Sequence, residues 1–318
     1  MPARREPRRV VILVYPGAQL SAVYGLTDLL EVAGRFAAER SHPGAGVEVV
    51  HWRPEEAPPV LPIAVVIAPP SLAGPPREGM GPIAGWLADR HGEGTLVCSV
   101  CAGTFLLAEA GLLAERVATT HWALAGPFAA RFPAVALATD RLLVDDGDVI
   151  TAGGLMAWTD LGLKLVERLF GPAIMLAIAR YFLVDPGGRE QRFYSVFSPE
   201  LGHGDAAIRK VQRWLQARTG EAIALPAMAA CAGLGERTFL RRFVKATGLR
   251  PAQYLQHLRV GKARDLLERT DLSIAEVAWK VGYGDPGAFR KIFQRILGLS
   301  PGEYRRRFAV AGGPRRSG

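Results

Sequence analysis

Glu236-Arg-Thr-Phe-Leu-Arg-Arg-Phe-Val-Lys-Ala-Thr-Gly248 and Pro286-Gly-Ala-Phe-Arg-Lys-Ile-Phe-Gln-Arg-Ile-Leu-Gly298 write one pattern twice, about 50 residues apart. Each stretch reads as a helix with one apolar side. Phe239 and Phe243, joined by Leu240, share a side in the first. Phe289, Ile292 and Phe293 make the stripe in the second. Polar and cationic residues remain outside: Arg237, Thr238, Arg241, Arg242 and Lys245, then Arg290, Lys291, Gln294 and Arg295. A short helix and a glycine turn precede each stretch, Leu225–Cys231 with Gly233-Leu234-Gly235, and Ile274–Val281 with Gly282-Tyr283-Gly284. Short helix, Gly-containing turn and second helix make a helix-turn-helix. One copy is mimicked by many helical proteins, whereas two copies with basic second helices favour DNA binding over a plain bundle. Arg and Lys on such a helix can pair with guanine O6/N7 or with phosphate in the major groove. The intervening helix Gln253–Leu267 carries Tyr254, Leu255, Leu258, Ala263, Leu266 and Leu267 and is expected to join the two units rigidly.

The charge is distributed accordingly. The 318-residue chain is +9 overall, yet residues 1–200 hold 17 Lys and Arg against 21 Asp and Glu, and residues 201–318 hold 22 against 9. A slightly acidic body with a basic last third points to a polyanion, nucleic acid ahead of an anionic membrane surface. With 49% hydrophobic and 22% charged residues, collagen-like, coiled-coil and wholly disordered chains are excluded, and the length suits about two domains. No apolar run approaches the ~18 residues of a membrane span. Met1–Arg9 leads into too short an apolar run for a secretory signal. Three cysteines are too few for a disulfide framework. A cytoplasmic protein without a membrane partner is expected. No phosphate loop or metal-ligand cluster stands out, so no cofactor is expected.

Before the basic third, short apolar runs alternate with helical stretches, the mark of a parallel α/β sheet. Strands are expected at Val10–Tyr15, Val47–Trp52, Ile63–Ala68, Thr95–Cys98, Val117–Thr120, Ala136–Thr139, Leu142–Val144 and Val149–Thr151. Helices are expected at Leu20–Phe36, Pro82–His91, Gly103–Ala110, Ala157–Leu169 and Ala173–Val184. Gly, Pro and Ser accumulate over residues 185–205, which places the domain junction there. The expected organisation is an α/β, flavodoxin-like parallel-sheet domain over 8–190 and an all-α double helix-turn-helix domain over 206–308. The Gly/Pro/Arg-rich tail 311–318 is expected to be disordered.

Thr95–Cys98 runs into Ser99-Val100-Cys101-Ala102-Gly103 and then a helix. Strand, tight turn and helix with a nucleophile at the tip form an elbow. A helix N-terminus beside Cys101 would lower its pKa and favour a thiolate, with His121 as a base. The plain alternative is a small buried turn residue and a structural histidine. Cys98-x-x-Cys101 has dithiol spacing, but Cys98 lies within the strand and should point into packing.

Arg241-x-Phe243, Gly248-Leu249-Arg250-Pro251-x-x-Tyr254, Ala263-x-x-Leu266-Leu267, Ile274-x-x-Val277-Ala278, Phe289-x-x-x-Phe293 and Gly298-x-Ser300-Pro301-x-x-Tyr304-Arg305 resemble the AraC/XylS DNA-binding domain. That resemblance implies two recognition helices in successive major grooves on one face of DNA. It puts Arg237 and Arg241 at base-facing sites of the first helix, and Gly287 and Lys291 at those of the second. Gly287 has no side chain to read a base, so the second unit is expected to lean on phosphates. Thr238, Arg242, Lys245 and Arg290 complete the expected DNA contacts.

Val97–Gly103, Ala118-Thr119-Thr120-His121-Trp122 and Ile150-Thr151-Ala152-Gly153-Gly154 resemble the PfpI-like, class I glutamine-amidotransferase-like domain, and with the domain order the chain resembles the GlxA group of regulators. Enzymes of that fold use the elbow cysteine, an acid after the first strand and backbone donors after the third. Here the acid position falls on Ala22, and Ala68-Pro69-Pro70 stands where the family often has Gly-Gly. Proline has no N–H, and one lost oxyanion donor costs ~10²–10³ in rate. The resemblance therefore implies a regulator rather than an enzyme, with Cys101 and His121 vestigial. It implies a pocket for a small-molecule effector bordered by Gly25, Cys101, Ala102, His121 and Trp122. Related regulators answer to small nitrogenous metabolites such as carnitine, betaines or amino acids, and Trp122 with Trp158 could hold a quaternary ammonium. A homodimer is expected. The competing reading is a cysteine-dependent hydrolase or hydratase with DNA binding secondary; redox sensing at Cys101 is a third.

Overall fold

In the computed structural model, which describes residues 7–40, 46–59, 62–76, 80–187, 190–197 and 199–309, the run Val10-Val11-Ile12-Leu13 is buried on both faces. The chain divides between Gln191 and Arg192 into two compact units. The first contains β1 (Arg8–Leu13), α1 (Leu20–Arg40), β2 (Val47–Trp52), β3 (Val65–Ala68), α2 (Gly81–Gly92), β4 (Leu96–Val100), α3 (Thr104–Glu109), β5 (Val117–Ala118), α4 (Ala125–Arg131), β6 (Ala136–Leu137), β7 (Leu143–Asp145), β8 (Val149–Ala152), α5 (Trp158–Phe170) and α6 (Pro172–Tyr181). Six strands form one sheet in the order β2-β1-β3-β4-β8-β7, parallel except for the antiparallel edge strand β7. This is the flavodoxin-like order with an added edge.

Alternation along the strands splits the core into two layers. Val10, Ile12, Ile67, Cys98 and Ile150 pack with Leu26, Leu30, Leu161 and Leu165 from α1 and α5. Val11, Leu13, Val66, Val97 and Val149 pack with Ile83 and Leu87 of α2 and Leu106 and Leu107 of α3. Cys98 is thus a packing residue of the first layer.

Four elements differ most from expectation. The strand expected to stop at Cys98 continues to Val100, which pairs with Ala152. The runs expected at Val117–Thr120 and Ala136–Thr139 shrink to β5 and β6, which pair only with each other. Thr119 accounts for the shortening of the first. The Thr119 amide donates to Thr151 Oγ1 at 2.9 Å and the Thr119 hydroxyl to the Arg141 carbonyl at 2.9 Å, so side chains replace ladder bonds. Helix α4 drew no expectation, and Gly126-Pro127 lies in its first turn. Proline in a first turn removes only an amide that has no helical partner there.

The second unit holds α7 (Ala206–Ala217), α8 (Leu225–Ala232), α9 (Glu236–Thr247), α10 (Pro251–Arg269), α11 (Ile274–Lys280), α12 (Pro286–Leu297) and α13 (Pro301–Phe308). It has two cores. Ile208, Leu215, Met228, Phe239 and Phe243 close the first with Tyr254 and Leu255 of α10. Val277, Phe289, Phe293 and Tyr304 close the second with Val260, Ala263 and Leu267 of the same helix. One helix therefore contributes its two halves to two cores. The tail 311–318 and residues 1–6 of the Met1–Arg9 stretch lie outside the described residues. Among the described residues no helix is long and apolar enough to cross a membrane.

Candidate DNA-recognition surface and elbow

Glycine in the left-handed region ends α8 at Gly233 (φ +66), and α9 begins at Glu236. In the second copy Ser273 and Glu276 form a capping box on α11, and Asp285 caps α12 by accepting from the amides of Gly287 (2.8 Å) and Ala288 (2.9 Å). Phe239, Phe243, Phe289 and Phe293 are fully buried. With those faces sealed, Arg237, Thr238, Arg241 and Lys245 of α9 are exposed, as are Gly287, Arg290 and Lys291 of α12. Arg242 is different. Its guanidinium forks onto Asp205, Nε to Oδ2 at 2.9 Å and the second nitrogen to Oδ1 at 2.8 Å. The guanidinium holds the Asp205 carboxyl below its ordinary range. Such bidentate pairs are strong and directional. Arg242, expected among the DNA contacts, is thus already committed to a partner within the chain.

At the elbow β4 ends in extended backbone at Val100 and Cys101 takes φ +56, the left-handed region that non-glycine residues rarely occupy. A 3₁₀ turn over Cys101–Gly103 leads into α3. A Cβ on Gly103 would fall 2.3 Å from the Ala68 carbonyl oxygen, so only glycine lets the turn approach β3. Hydroxyls fasten the turn: Thr104 Oγ1 donates to the Thr119 carbonyl (3.1 Å) and Thr120 Oγ1 to the Cys101 carbonyl (2.7 Å).

The surroundings of Cys101 oppose the expected thiolate. The Ala102 and Gly154 amides face the sulfur and favour the anion, but burial outweighs them and pushes the Cys101 thiol up to about 11. Nor does His121 reach it. His121 Nδ1 accepts from the Ala123 amide at 3.1 Å, capping a short turn, and burial lowers its pKa. Among the described residues no hydrogen bond joins His121 to Cys101. Ala22, at the acid position, is fully buried. Behind β3 the loop presents acceptors: Tyr15 Oη donates to the Pro69 carbonyl (2.5 Å) and the Gln19 amide to the Pro70 carbonyl (2.7 Å).

The expected pocket residues come from three segments of the chain. Cys101 and Ala102 meet at the buried elbow. Gly25 lies against Trp158, whose ring would stand 2.4 Å from an added Cβ. His121 stacks beside Trp122, ring centroids 5.3 Å apart. The rings of Trp122 and Trp158 make no contact with each other. Sequence reasoning assigned no role to Gln191. Its buried amide nitrogen donates to Thr119 Oγ1 (3.0 Å) and to the carbonyls of Thr120 (2.9 Å) and Arg141 (3.0 Å), while its oxygen accepts from the Trp122 amide (3.2 Å). Gly153 makes room for it, since a Cβ there would sit 1.8 Å from Gln191 Nε2. The glycine pair was visible in sequence; its distant partner was not. No cluster of three or more His, Cys, Asp or Glu among the described residues could hold a metal ion.

Comparison with known proteins agrees with both halves. Residues 80–168 match the DJ-1/PfpI family and residues 228–307 match a helix-turn-helix domain. The chain is 30% identical over 214 residues to the HTH-type transcriptional regulator GbdR of Pseudomonas aeruginosa, which covers 67% of this chain and 58% of the relative. It is 27% identical over 218 residues to the HTH-type transcriptional regulator GlxA of Rhizobium meliloti, 67% of this chain and 66% of that one. The chain thus spans less than two thirds of the length of these relatives. The solved structure of Drosophila melanogaster DJ-1beta aligns with 56% of this chain and 99% of its own, at 21% identity and a TM-score of 0.43. The chain therefore joins a DJ-1/PfpI family domain to an AraC-type helix-turn-helix domain, and its relatives are regulators of the GbdR and GlxA type.

Proposed function

We propose that the protein is a sequence-specific DNA-binding transcriptional regulator, controlled in the cytoplasm by a small nitrogenous metabolite that its DJ-1/PfpI domain binds without turning it over. One observation carries this reading: α9 and α12 each bury two phenylalanines and expose a polar, largely cationic face. Arg237 and Arg241 read bases from α9, and Lys291 from α12, where Gly287 leaves the base unread. Thr238, Lys245 and Arg290 suit phosphate. A homodimer would repeat these contacts across a two-fold operator.

The sensor half of the reading rests on what the elbow lacks. Its thiol is protonated, its acid position is Ala22, and its β3 loop offers prolines in place of donors. A bound effector raises the unfolding temperature by mass action. Carnitine, glycine betaine and free amino acids are the first compounds to screen, in the wild type and in Trp122→Ala.

Arg241→Ala tests the DNA half. Loss of a bidentate guanine contact weakens specific binding by ~1–3 kcal/mol and relaxes the preference at one base position. Affinity and preferred sequence both unchanged in a binding selection would remove Arg241 from recognition.

A further inference from the structure

Residues that precede the helix-turn-helix region in the chain hold both recognition helices. At the second helix, α12 ends on Gly298 (φ +77), and Arg192 and Phe193 close over it. A Cβ there would fall 2.7 Å from Phe193 Cε1. Phe193 is buried. Tyr194 stands edge-on to Phe308 of α13 at 5.5 Å, and Arg307 lies over the Phe193 and Tyr194 rings while donating to Tyr194 Oη at 2.9 Å. The Ser195 carbonyl accepts from Arg264 of α10. Phe197 packs edge-on to Tyr254 at 5.2 Å, and Tyr254 in turn packs on Phe243 of α9 at 5.3 Å.

At the first helix the grip is ionic. Asp205 takes the Arg242 fork described above and also caps α7 by accepting from the Ile208 amide at 3.1 Å. Its own amide donates to His203 Nδ1 at 3.1 Å, His203 Nε2 meets Gln212 Oε1 at 2.9 Å, and the fully buried Gln212 donates to the Glu200 carbonyl at 2.9 Å. The carboxylate is therefore fixed from its cap, its backbone and its partner.

We propose that residues 192–197 and 199–205 form a strap that sets the placement of the two recognition helices, with Phe193 gripping the end of α12 and Asp205 gripping α9 through Arg242. This rests on the DNA-binding reading above. Phe193, Asp205 and Arg242 are positioning residues: they reach no base, yet they fix the spacing at which two helices meet two grooves. Two linked binding modules gain avidity only when the linkage fits the spacing of their sites.

The test uses the full-length chain and a duplex that the wild type enriches from a random pool. Asp205→Asn keeps the helix cap, since Asn caps as well as Asp, but removes the charge from Arg242. Phe193→Ala opens the other grip. Affinity is measured for the enriched two-box duplex, for the same boxes moved apart by one to three base pairs, and for each box alone. In both variants two-box affinity should fall about tenfold or more, discrimination between spacings should flatten, and single-box affinity should change little. Equal loss on single and double boxes with spacing preference intact would show mere stabilisation and overturn the strap.

Amide exchange without DNA gives a second reading should a variant fold poorly or the wild type enrich nothing. Asp205→Asn should speed exchange in 236–247 and Phe193→Ala in 286–297. Unchanged exchange in both overturns the strap by itself. A wild type that enriches no sequence while exchange responds as stated overturns the DNA reading instead.

Discussion

Cys101 shows how far a residue's surroundings can reverse its sequence motif. The elbow was legible as strand, turn, cysteine, glycine and helix, and the backbone at φ +56 fulfils it. Its protonation state was not legible, because burial of the sulfur is set by the folded surroundings, and even one of the amides that face it, Gly154, lies some fifty residues away in sequence. Desolvation then outweighs the amide donors, and the thiol stays neutral at physiological pH. Iodoacetamide at pH 7 to 8 should therefore label half-buried Cys231 ahead of Cys101, with Cys101 reactivity climbing toward pH 11. The sign for stability follows. Above its ordinary value near 8.5 an unfolded thiol loses a proton that folded Cys101 keeps, so this residue's contribution declines as pH rises from there through about 11. Peptide mass spectrometry showing Cys101 as the fastest-labelled cysteine at pH 7 would restore the thiolate.

At the scale of elements, continuous apolar runs fixed β1, β3, β4 and β8 to within two residues at either end, because both faces of those strands are largely buried. Threonine-ended runs misled, since hydroxyl bonds from Thr119 and Thr151 compete with strand pairing. Helix α13 drew no expectation, although Ser300 and Glu303 form a capping box that the sequence displays. The Gly153–Gln191 contact lay beyond reach, since no local spacing couples a strand-end glycine to a side chain past α6. That contact is testable. Gly153→Ala should displace the Gln191 side chain and leave several buried groups without partners, costing about 2–4 kcal/mol. Gln191→Ala removes the nearest obstacle, although the Thr120 carbonyl oxygen still lies 2.7 Å from the added Cβ, so the double variant should be less destabilised than the sum of the two singles in thermal unfolding. Strict additivity would mean that Gly153 does not serve Gln191.

Across the whole molecule, the uneven charge and the duplicated helix pattern were the two most informative features of the sequence, and both lie in the second unit. Paired phenylalanines bury one side of each recognition helix, and this leaves the basic side outward without any further device. What the sequence did not disclose is that one of those arginines, Arg242, is held by Asp205 from outside the repeat. The first unit is less explicit, since one fold hosts many functions and its elbow keeps the backbone geometry of a nucleophile while burial disfavours the thiolate. The most direct measurement is a binding selection of the full-length protein on random duplex DNA, repeated at low and high salt. Two recognition helices in successive grooves predict an enriched motif of two boxes with centres about 10 base pairs apart, and affinity that falls steeply as salt rises. A recovered pool indistinguishable from the input at either salt concentration would contradict sequence-specific DNA recognition by this protein.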